Sequence, residues 1–500
     1  MDLKKRAYEH LTLRKYAKSK HEKEEWIMKK RILAALLAVA MLACSLAACA
    51  TSDTPSTTAP STSGGSTADT AKTTEPASAE KPKETITLKL WGGVQPEYGY
   101  QELCDNFNKE FADKGLQVEY TRYVNDDNGN LQLDTYLMGG DQIDIYMGYG
   151  GKTRLINRQE AGLAYDMTDY LTSHGFDPVE ELGAANVIPY QIDGKYYALP
   201  TKYENANWWL CNATMFKEAG IELPLHGWTY AEFEEACKKL THGEGQDKVY
   251  GMYWNLVKDF NGATNFMPQM ITEYGMYTDE TMTATNLNND IYKKGLQMMV
   301  DSFNEGWGTS YEQVVADGLT FDNTFLEGKA AISTTISNLR LVKDTATYPR
   351  DFETAIIPAP VPDESYMDNW DFSTVTGAGD LICVNPKSAH VEEAMEFVLW
   401  YIQGGMAPLA KGGRVPLWKG FDPDLVLNSL CEEPGVFNEE SVRTYMSIGR
   451  DQGLKSYTTS ADSKIKAIRK EEMEAAFYGK KTVDQACEDA KTRADELLKK

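Results

Sequence analysis

Histidine is scarce in this chain. There are six in 500 residues, and only His174, His226, His242 and His390 lie beyond the first tenth of the sequence. None of these four stands at metal-ligand spacing, and neither His-Glu-x-x-His nor Gly-x-Ser-x-Gly occurs, so neither the zinc-peptidase nor the serine-hydrolase motif is present. A glycosidase carboxylate pair leaves no such signature, so that class is not removed by motif alone. Positive charge is also short: 51 Lys+Arg stand against 74 Asp+Glu, a net of −23. That balance argues against nucleic acid and against a broad contact with anionic lipid. No Cys-x-x-Cys is found among the eight cysteines, and no internal repeat that would mark a solenoid or an adhesin array. The longest apolar run, Ile32–Leu42, falls short of the about 20 residues a membrane span requires.

What is present begins at Met28. Lys29, Lys30 and Arg31 precede that apolar run, and Leu46-Ala47-Ala48-Cys49 follows it. A basic start, a short apolar core and small residues before a cut site make a secretory signal. The cysteine after Leu-Ala-Ala resembles the bacterial lipobox, whose thiol is acylated and becomes the new N-terminus. Cys44 also follows Leu-Ala, but Met41 occupies the lipobox leucine position, which favours Cys49. The polar, Lys-rich residues 1–27 are an extension upstream of Met28, the expected true start. Residues 1–48 carry 11 Lys+Arg and 5 Asp+Glu, so the exported chain stands near −29. Residues 49–84 are Ser, Thr, Ala, Pro and Gly with almost no large apolar side chain. Such a stretch cannot offset its ordering entropy and reads as a tether with a reach of roughly 30 Å. Cys104, Cys211, Cys237, Cys383, Cys431 and Cys487 are scattered through the rest. Burial as small hydrophobes is the expected use, although export permits disulfides.

From Thr85 the pattern is that of an α/β body. Ile86–Trp91 alternates apolar and polar residues and stops at Gly92-Gly93. Tyr100–Phe111 has helical apolar spacing, Leu116–Tyr120 and Ile143–Met147 read as strands, and the alternation predicts a parallel sheet. Thr229-x-x-Glu232 and Thr482-x-x-Gln485 are capping boxes opening helices. A stripe from Val391 to Ile402 marks another helix, and Leu381–Val384 a short buried strand. The body is too long for one ordinary domain, so two lobes are expected.

Several segments then become specific. Asp144-Ile145-Tyr146 is followed by Gly162-Leu163-x-x-Asp166-Met167-Thr168-Asp169-Tyr170-Leu171 and Asp193-Gly194-Lys195-Tyr196-Tyr197-Ala198-Leu199-Pro200. Next come Trp209-Leu210-Cys211-Asn212-x-x-Met215-Phe216-Lys217-Glu218-Ala219-Gly220-Ile221, Gly227–Phe233 and Phe325-x-x-Gly328-Lys329-Ala330-Ala331-Ile332. In this order they resemble the extracellular solute-binding proteins of ABC importers, the maltose-binding-like family. Ile143 replaces the family's proline, and Cys211 a tyrosine. The resemblance implies an α/β, two-lobed periplasmic-binding-protein-like (type II) fold with hinge strands and an interlobe cleft. It assigns 85–202 plus 331–383 to lobe 1 and 203–330 plus 384–500 to lobe 2. Chain crossings are then expected near Pro200–Trp208, Gly328–Thr335 and Leu381–Pro386.

The same resemblance implies a monomeric, non-enzymatic receptor without cofactor or metal, held to the outer face of a bacterial cell membrane by lipid on Cys49. Its partners would be a small solute, most readily a sugar or oligosaccharide, and the subunits of an ABC permease. Peptide or polyamine ligands on the same fold, or an exported glycosidase, are the alternatives. Sugars offer apolar C–H faces to Trp and Tyr and a hydroxyl edge to Asp, Asn and Arg. With 10 Trp and 28 Tyr, candidates follow from strand ends, where α/β clefts form. Trp91 and Tyr149 end strands and either line the cleft or plug the core. Tyr203, Glu204, Asn205 and Asn207 lie at the expected first crossing. Trp254 follows a strand-like segment, Trp370 and Asp371 precede a Gly-rich loop, and Arg414 sits in Gly-Gly-Arg-Val-Pro, for ligand or for an internal ion pair. Trp228 and Trp400 read as core. Asn125–Asn130 has calcium-like composition without EF-hand spacing, so a polar turn is expected there.

Overall fold

A computed structural model of the chain describes residues 85–140, 143–203, 207–269, 274–334, 336–373, 378–447, 459 and 461–499. The segments expected to be signal and tether, with Cys49, lie outside this set. Nine strands are found among the described residues: β1 (Ile86–Gly92), β2 (Leu116–Arg122), β3 (Ile145–Gly148), β4 (Leu199–Tyr203), β5 (Trp208–Asn212), β6 (Tyr250–Tyr253), β7 (Ala330–Ser333), β8 (Thr354–Pro358) and β9 (Ala378–Val384). They form two sheets, ordered β2-β1-β3-β9-β4 and β6-β7-β5-β8. The helices that position the site and its supports are α1 (Tyr100–Glu110), α2 (Asp127–Gly139), α3 (Gly151–Glu160), α4 (Tyr230–Leu240), α5 (Asp290–Glu305), α6 (Leu339–Lys343), α7 (Val391–Trp400), α8 (Pro423–Leu430), α9 (Glu439–Ser447), α10 (Asp462–Phe477) and α11 (Val483–Leu498).

Each sheet is covered on both faces, which is why its strands read as apolar runs. On one face of the first sheet Leu88, Leu90 and Ile382 meet Leu103 and Phe107 of α1 and Phe397 and Val398 of α7. On the other, Tyr146 and Cys383 meet Leu133 and Leu137 of α2 and Leu155 of α3. The second sheet divides β5 residue by residue. Trp209 and Cys211 join the core built with α4, α5, α10 and α11, while Trp208 and Leu210 join the one built with α6, α8 and α9. Successive side chains on a strand point to opposite faces, so Trp-Trp-Leu-Cys serves two cores at once. Helix starts follow their side chains: Thr229 with Glu232 and Thr482 with Gln485 form reciprocal capping boxes on α4 and α11. The polar Asn125–Asn130 segment is the start of α2, where the Asp126 carboxylate accepts from Gly129 N–H.

The first sheet is mixed rather than parallel throughout. β1 runs parallel to β2 and β3, but β9 is antiparallel to both β3 and β4. Strand pairing also corrects the expected division of the chain. β7 lies inside the second sheet, parallel to β6 and antiparallel to β5, so there is no crossing at Gly328–Thr335. β8, expected in lobe 1, pairs antiparallel with β5 and belongs to lobe 2. α7, expected in lobe 2, buries Ala394, Met395, Phe397 and Val398 in the first core and belongs to lobe 1. The chain therefore passes between lobes from β4 to β5, from β8 to β9, and a third time near 409–417. There Leu409 and Leu417 join the first core while Ala410 and Val415 join the second.

The family-like motifs at 162–171 and 193–200 clasp one another. Met167 N–H donates to Tyr196 O at 2.8 Å, Tyr196 N–H donates to Thr168 Oγ1 at 3.0 Å, and Lys195 pairs with Asp166 at 2.6 Å. Cys104, Cys211, Cys237, Cys383 and Cys487 are buried thiols and Cys431 is half-buried, none of them in a disulfide. Burial pushes the Cys104, Cys383 and Cys487 thiols up to about 12, which leaves them inert near neutral pH.

Candidate functional site

The C-terminal ends of β1, β2 and β3 point the same way because the three strands are parallel, and loops leaving them gather at one edge of the first sheet. The loop after β1 is held by two tyrosines. Tyr149, just past β3, accepts a bond from Gly93 N–H at 3.0 Å, and Tyr120 of β2 accepts from Val94 N–H at 3.1 Å while donating to Val94 O at 2.6 Å. Glycine is required at 93 by space, since a Cβ would lie 2.8 Å from Asn125 Cβ and 2.9 Å from the Tyr149 ring.

The third crossing lies alongside β4. Tyr203 N–H donates to Val415 O and Leu417 N–H to Thr201 O, each at 3.0 Å. This places Arg414 beside β9, where its Nε–H donates to Asp380 Oδ2 at 3.0 Å. Both side chains are largely buried, at 15% and 9% exposure. Asp380 holds a left-handed backbone (φ 50°) inside a strand, and Thr201 Oγ1 donates to its carbonyl at 2.7 Å. A non-glycine residue in that region costs of the order of 1–3 kcal/mol and persists only where its surroundings enforce it.

Between these elements is a cavity of about 360 Å³, within the range of small-molecule sites. Its walls come from Gly93, Val94 and Gln95 after β1, Arg122, Val124 and Asn125 at and after the end of β2, and Tyr149 after β3. Lys202 of β4, Asp380 of β9, Arg414 of the third crossing and Arg340 of α6 complete it. Arg340 belongs to a helix whose Leu339 and Val342 pack in the second lobe's core, so the cavity takes side chains from both lobes. Its guanidinium lies over the Tyr98 ring, 5.6 Å from the centroid. Burial lowers the Arg340 pKa, and the neighbouring Arg414 charge lowers it further. Burial acts on Arg414 in the same direction, but Asp380, then Tyr149 and Tyr100, reverse it and hold that guanidinium above its ordinary value. The Tyr149 hydroxyl is raised, by burial first and by Asp380 second. A larger groove of about 820 Å³ runs between α1 and α7 past Trp400. It lies away from the strand ends, and its walls are all first-lobe residues.

Of the residues singled out from sequence, Tyr149 and Arg414 line the strand-end cavity. Arg414 does so while also making the internal ion pair. Tyr203 is half-buried at the lobe junction, packed against both the first core and the α6–α9 core. Asn207 is fully buried, its carbonyl accepting from Ala359 N–H at 2.7 Å. Trp91 is half-buried outside the cavity, its ring 5.3 Å from Tyr136 of α2 in an edge contact. Trp254 is corrected from ligand contact to core. It is 0% exposed, its ring stands 5.8 Å from Trp209, and its Nε1–H donates to Ser302 Oγ of α5 at 2.9 Å. Glu204 and Asn205 lie outside the described residues, as do the side chains of Trp370 and Asp371 in the Glu364–Ser373 helical segment. Trp228 is core, donating to Pro358 O at 2.9 Å; Trp400 is half-buried and donates to Glu110 at 2.8 Å. Arg122, Lys202, Arg340 and Asp380 were missed. The strand-end rule that singled out Tyr149 applies equally to Arg122, and Lys202 directly precedes Tyr203.

A family model described as bacterial extracellular solute-binding protein matches residues 92–403. The chain belongs to that family, and is a binding protein rather than an enzyme. No curated protein matches the sequence. Solved structures share the fold. A sugar transporter from Rhizobium etli in an open conformation is 20% identical (TM-score 0.62, 82% of this chain and 99% of that one). An ABC substrate-binding protein from Listeria monocytogenes in complex with cycloalternan is 17% identical (TM-score 0.63, 83% and 100%). The GacH receptor of Streptomyces glaucescens, solved unliganded and with acarbose, is 16% identical (TM-score 0.62, 83% and 99%). No helix among the described residues is long and apolar enough to cross a membrane.

The Trp254 assignment has a direct check. Trp254→Ala is expected to cost about 3–5 kcal/mol of unfolding free energy in denaturant titration, with solute affinity of the folded fraction unchanged. A drop in affinity at undiminished stability would return Trp254 to the site.

Proposed function

We propose that this protein is the substrate-binding lipoprotein of an ABC importer, capturing a sugar or oligosaccharide between its lobes and delivering it to the permease. One observation carries the reading: a cavity at the parallel strand ends is walled by first-lobe residues and by Arg340 of the second lobe, beside the segments where the chain crosses. A ligand that touches both lobes favours the arrangement in which they close on it, and only to the extent of those shared contacts. The lining also supplies an aromatic ring at Tyr149 and hydrogen-bonding groups at Gln95, Asn125, Lys202 and Asp380, the mixture that hydroxyl-rich ligands need. The neighbours named above that were solved with cycloalternan or acarbose add to this reading. A polyamine finds less support, because among the described residues of the lining cations outnumber acids.

A thermal-shift screen against mono- and oligosaccharides tests the proposal. A ligand that binds only the folded state at a hundredfold excess over its Kd adds about 2.7 kcal/mol of stability, a readily measured rise in Tm. No rise with any saccharide, together with a rise for peptides, would overturn it. We further propose that lipid on Cys49 tethers the folded body to the membrane through residues 50–84. Cys49→Ser is expected to move the protein from the membrane fraction to the medium; retention in the membrane would refute the anchor.

A further inference from the structure

We infer that Asn125 is a specificity-determining residue of the strand-end cavity, reading an acceptor atom of the solute with its amide NH2, and that Asn130 and Arg158 are the positioning residues that fix this polarity; this rests on the solute-binding reading above. Asn125 stands in the cavity wall beside Gly93, just before α2. An asparagine amide donates at one end and accepts at the other, so an unsupported one can meet a hydroxyl-rich ligand either way round.

Two buried side chains remove that choice. Asn130 of α2 and Arg158 of α3 are each 3% exposed. A guanidinium only donates, so Arg158 Nη2–H meets the Asn130 oxygen, at 3.2 Å. The Asp126 carbonyl only accepts, so Asn130 Nδ2–H meets it, at 2.9 Å. These neighbours touch opposite ends of the Asn130 amide and demand the same orientation of it. The remaining N–H of that amide donates to Asn125 Oδ1 at 3.2 Å. With its oxygen turned to Asn130, Asn125 keeps its NH2 for the cavity.

The supports are themselves fixed. Arg158 Nε–H donates to Asp134 Oδ1 at 2.7 Å, one turn along α2 from Asn130, and the guanidinium lies over the Tyr146 ring of β3, 5.3 Å from the centroid. Asp126 is held as the cap of α2, accepting from Gly129 N–H at 2.7 Å. In a buried chain of this kind each bond sets the direction of the next, and reversing one member would leave donors facing donors. The solute atom opposite Asn125 must therefore accept. A hydroxyl, a ring or glycosidic oxygen, or a carbonyl qualifies; a group that only donates does not.

The test is calorimetric titration of the full chain with the saccharide that raises Tm most in the thermal screen, and with its monodeoxy and deoxyfluoro forms at each position. Organic fluorine accepts but cannot donate, so a deoxyfluoro form keeps a bond in which the sugar accepts and loses one in which it donates. At the position facing Asn125 the deoxy form is expected to bind about tenfold weaker than the parent and the deoxyfluoro form only about threefold weaker. Asn125→Ala, at an exposed position that tolerates truncation, is expected to erase this contrast at that position alone. Asn130→Ala, which frees the Asn125 amide to turn, is expected to erase it while the parent sugar stays within about threefold of its original affinity. If Asn125→Ala leaves every deoxy-to-fluoro contrast in place, or no position shows one, the inference is overturned and sugar binding stands. A contrast that survives in folded Asn130→Ala would overturn the positioning role, and the Asn125→Ala result decides the specificity role even where Asn130→Ala misfolds. Only a screen in which no saccharide binds would take the sugar reading down as well.

Discussion

The structure depends on the ion pair between Arg414 and Asp380. It fastens the third crossing segment to β9, the strand by which the chain enters the first sheet on its second crossing. Both partners are largely buried, so neither charge is stable there without the other; removing one partner from such a pair typically costs about 3–5 kcal/mol. The left-handed backbone of Asp380 shows the same compulsion, since the strand bends out of the ordinary β region at the residue that holds the arginine. Around this pair the β4 backbone is shared between β9 on one side and residues 415–417 on the other. Connection between the lobes and construction of the cavity are therefore one feature, because Lys202, Asp380 and Arg414 stand on the segments that join the lobes.

Two sheets filled on both faces make stiff lobes, and a few connecting segments leave them a limited way to move. The aromatic cluster of Trp209, Trp254, Phe233 and Phe266 gives the second lobe a rigid interior. In the first lobe Tyr100 stacks on Tyr120, 4.1 Å between centroids, and Tyr120 in turn bonds the loop after β1. Aromatic residues among the described ones thus serve mainly as core, with Tyr120 also supporting the loop after β1 and Tyr149 both support and cavity wall.

The family was legible from sequence because its motifs are structural. Asp166, Thr168 and Lys195 supply the side chains of a clasp around the Tyr196 backbone on the first lobe, and Gly328, at positive φ, ends the turn into β7. Capping boxes at Thr229 and Thr482 were equally readable, since both partners lie three residues apart. The lobe boundaries were not, because β7 and β8 are short apolar strands that fit either sheet by pattern; only their pairing with β5 decides. The residues lining the candidate cavity were the least legible. Arg122, Lys202 and Arg340 are ordinary cations in sequence and gain meaning only when three separate segments converge. Trp254 misled for the opposite reason: it follows a strand, as a cleft residue would, but Ser302, nearly fifty residues away, receives its N–H inside the core.

The central claim is that the crossing segments act as one fastened unit through Asp380 and Arg414. A double-mutant cycle with Asp380→Asn and Arg414→Gln, read by denaturant unfolding, tests it most directly. The account predicts strong coupling, about 1–3 kcal/mol, with the double variant more stable than the two single losses would sum to. Additivity within about 0.5 kcal/mol would show that the two side chains do not hold the crossings together, and would contradict the account.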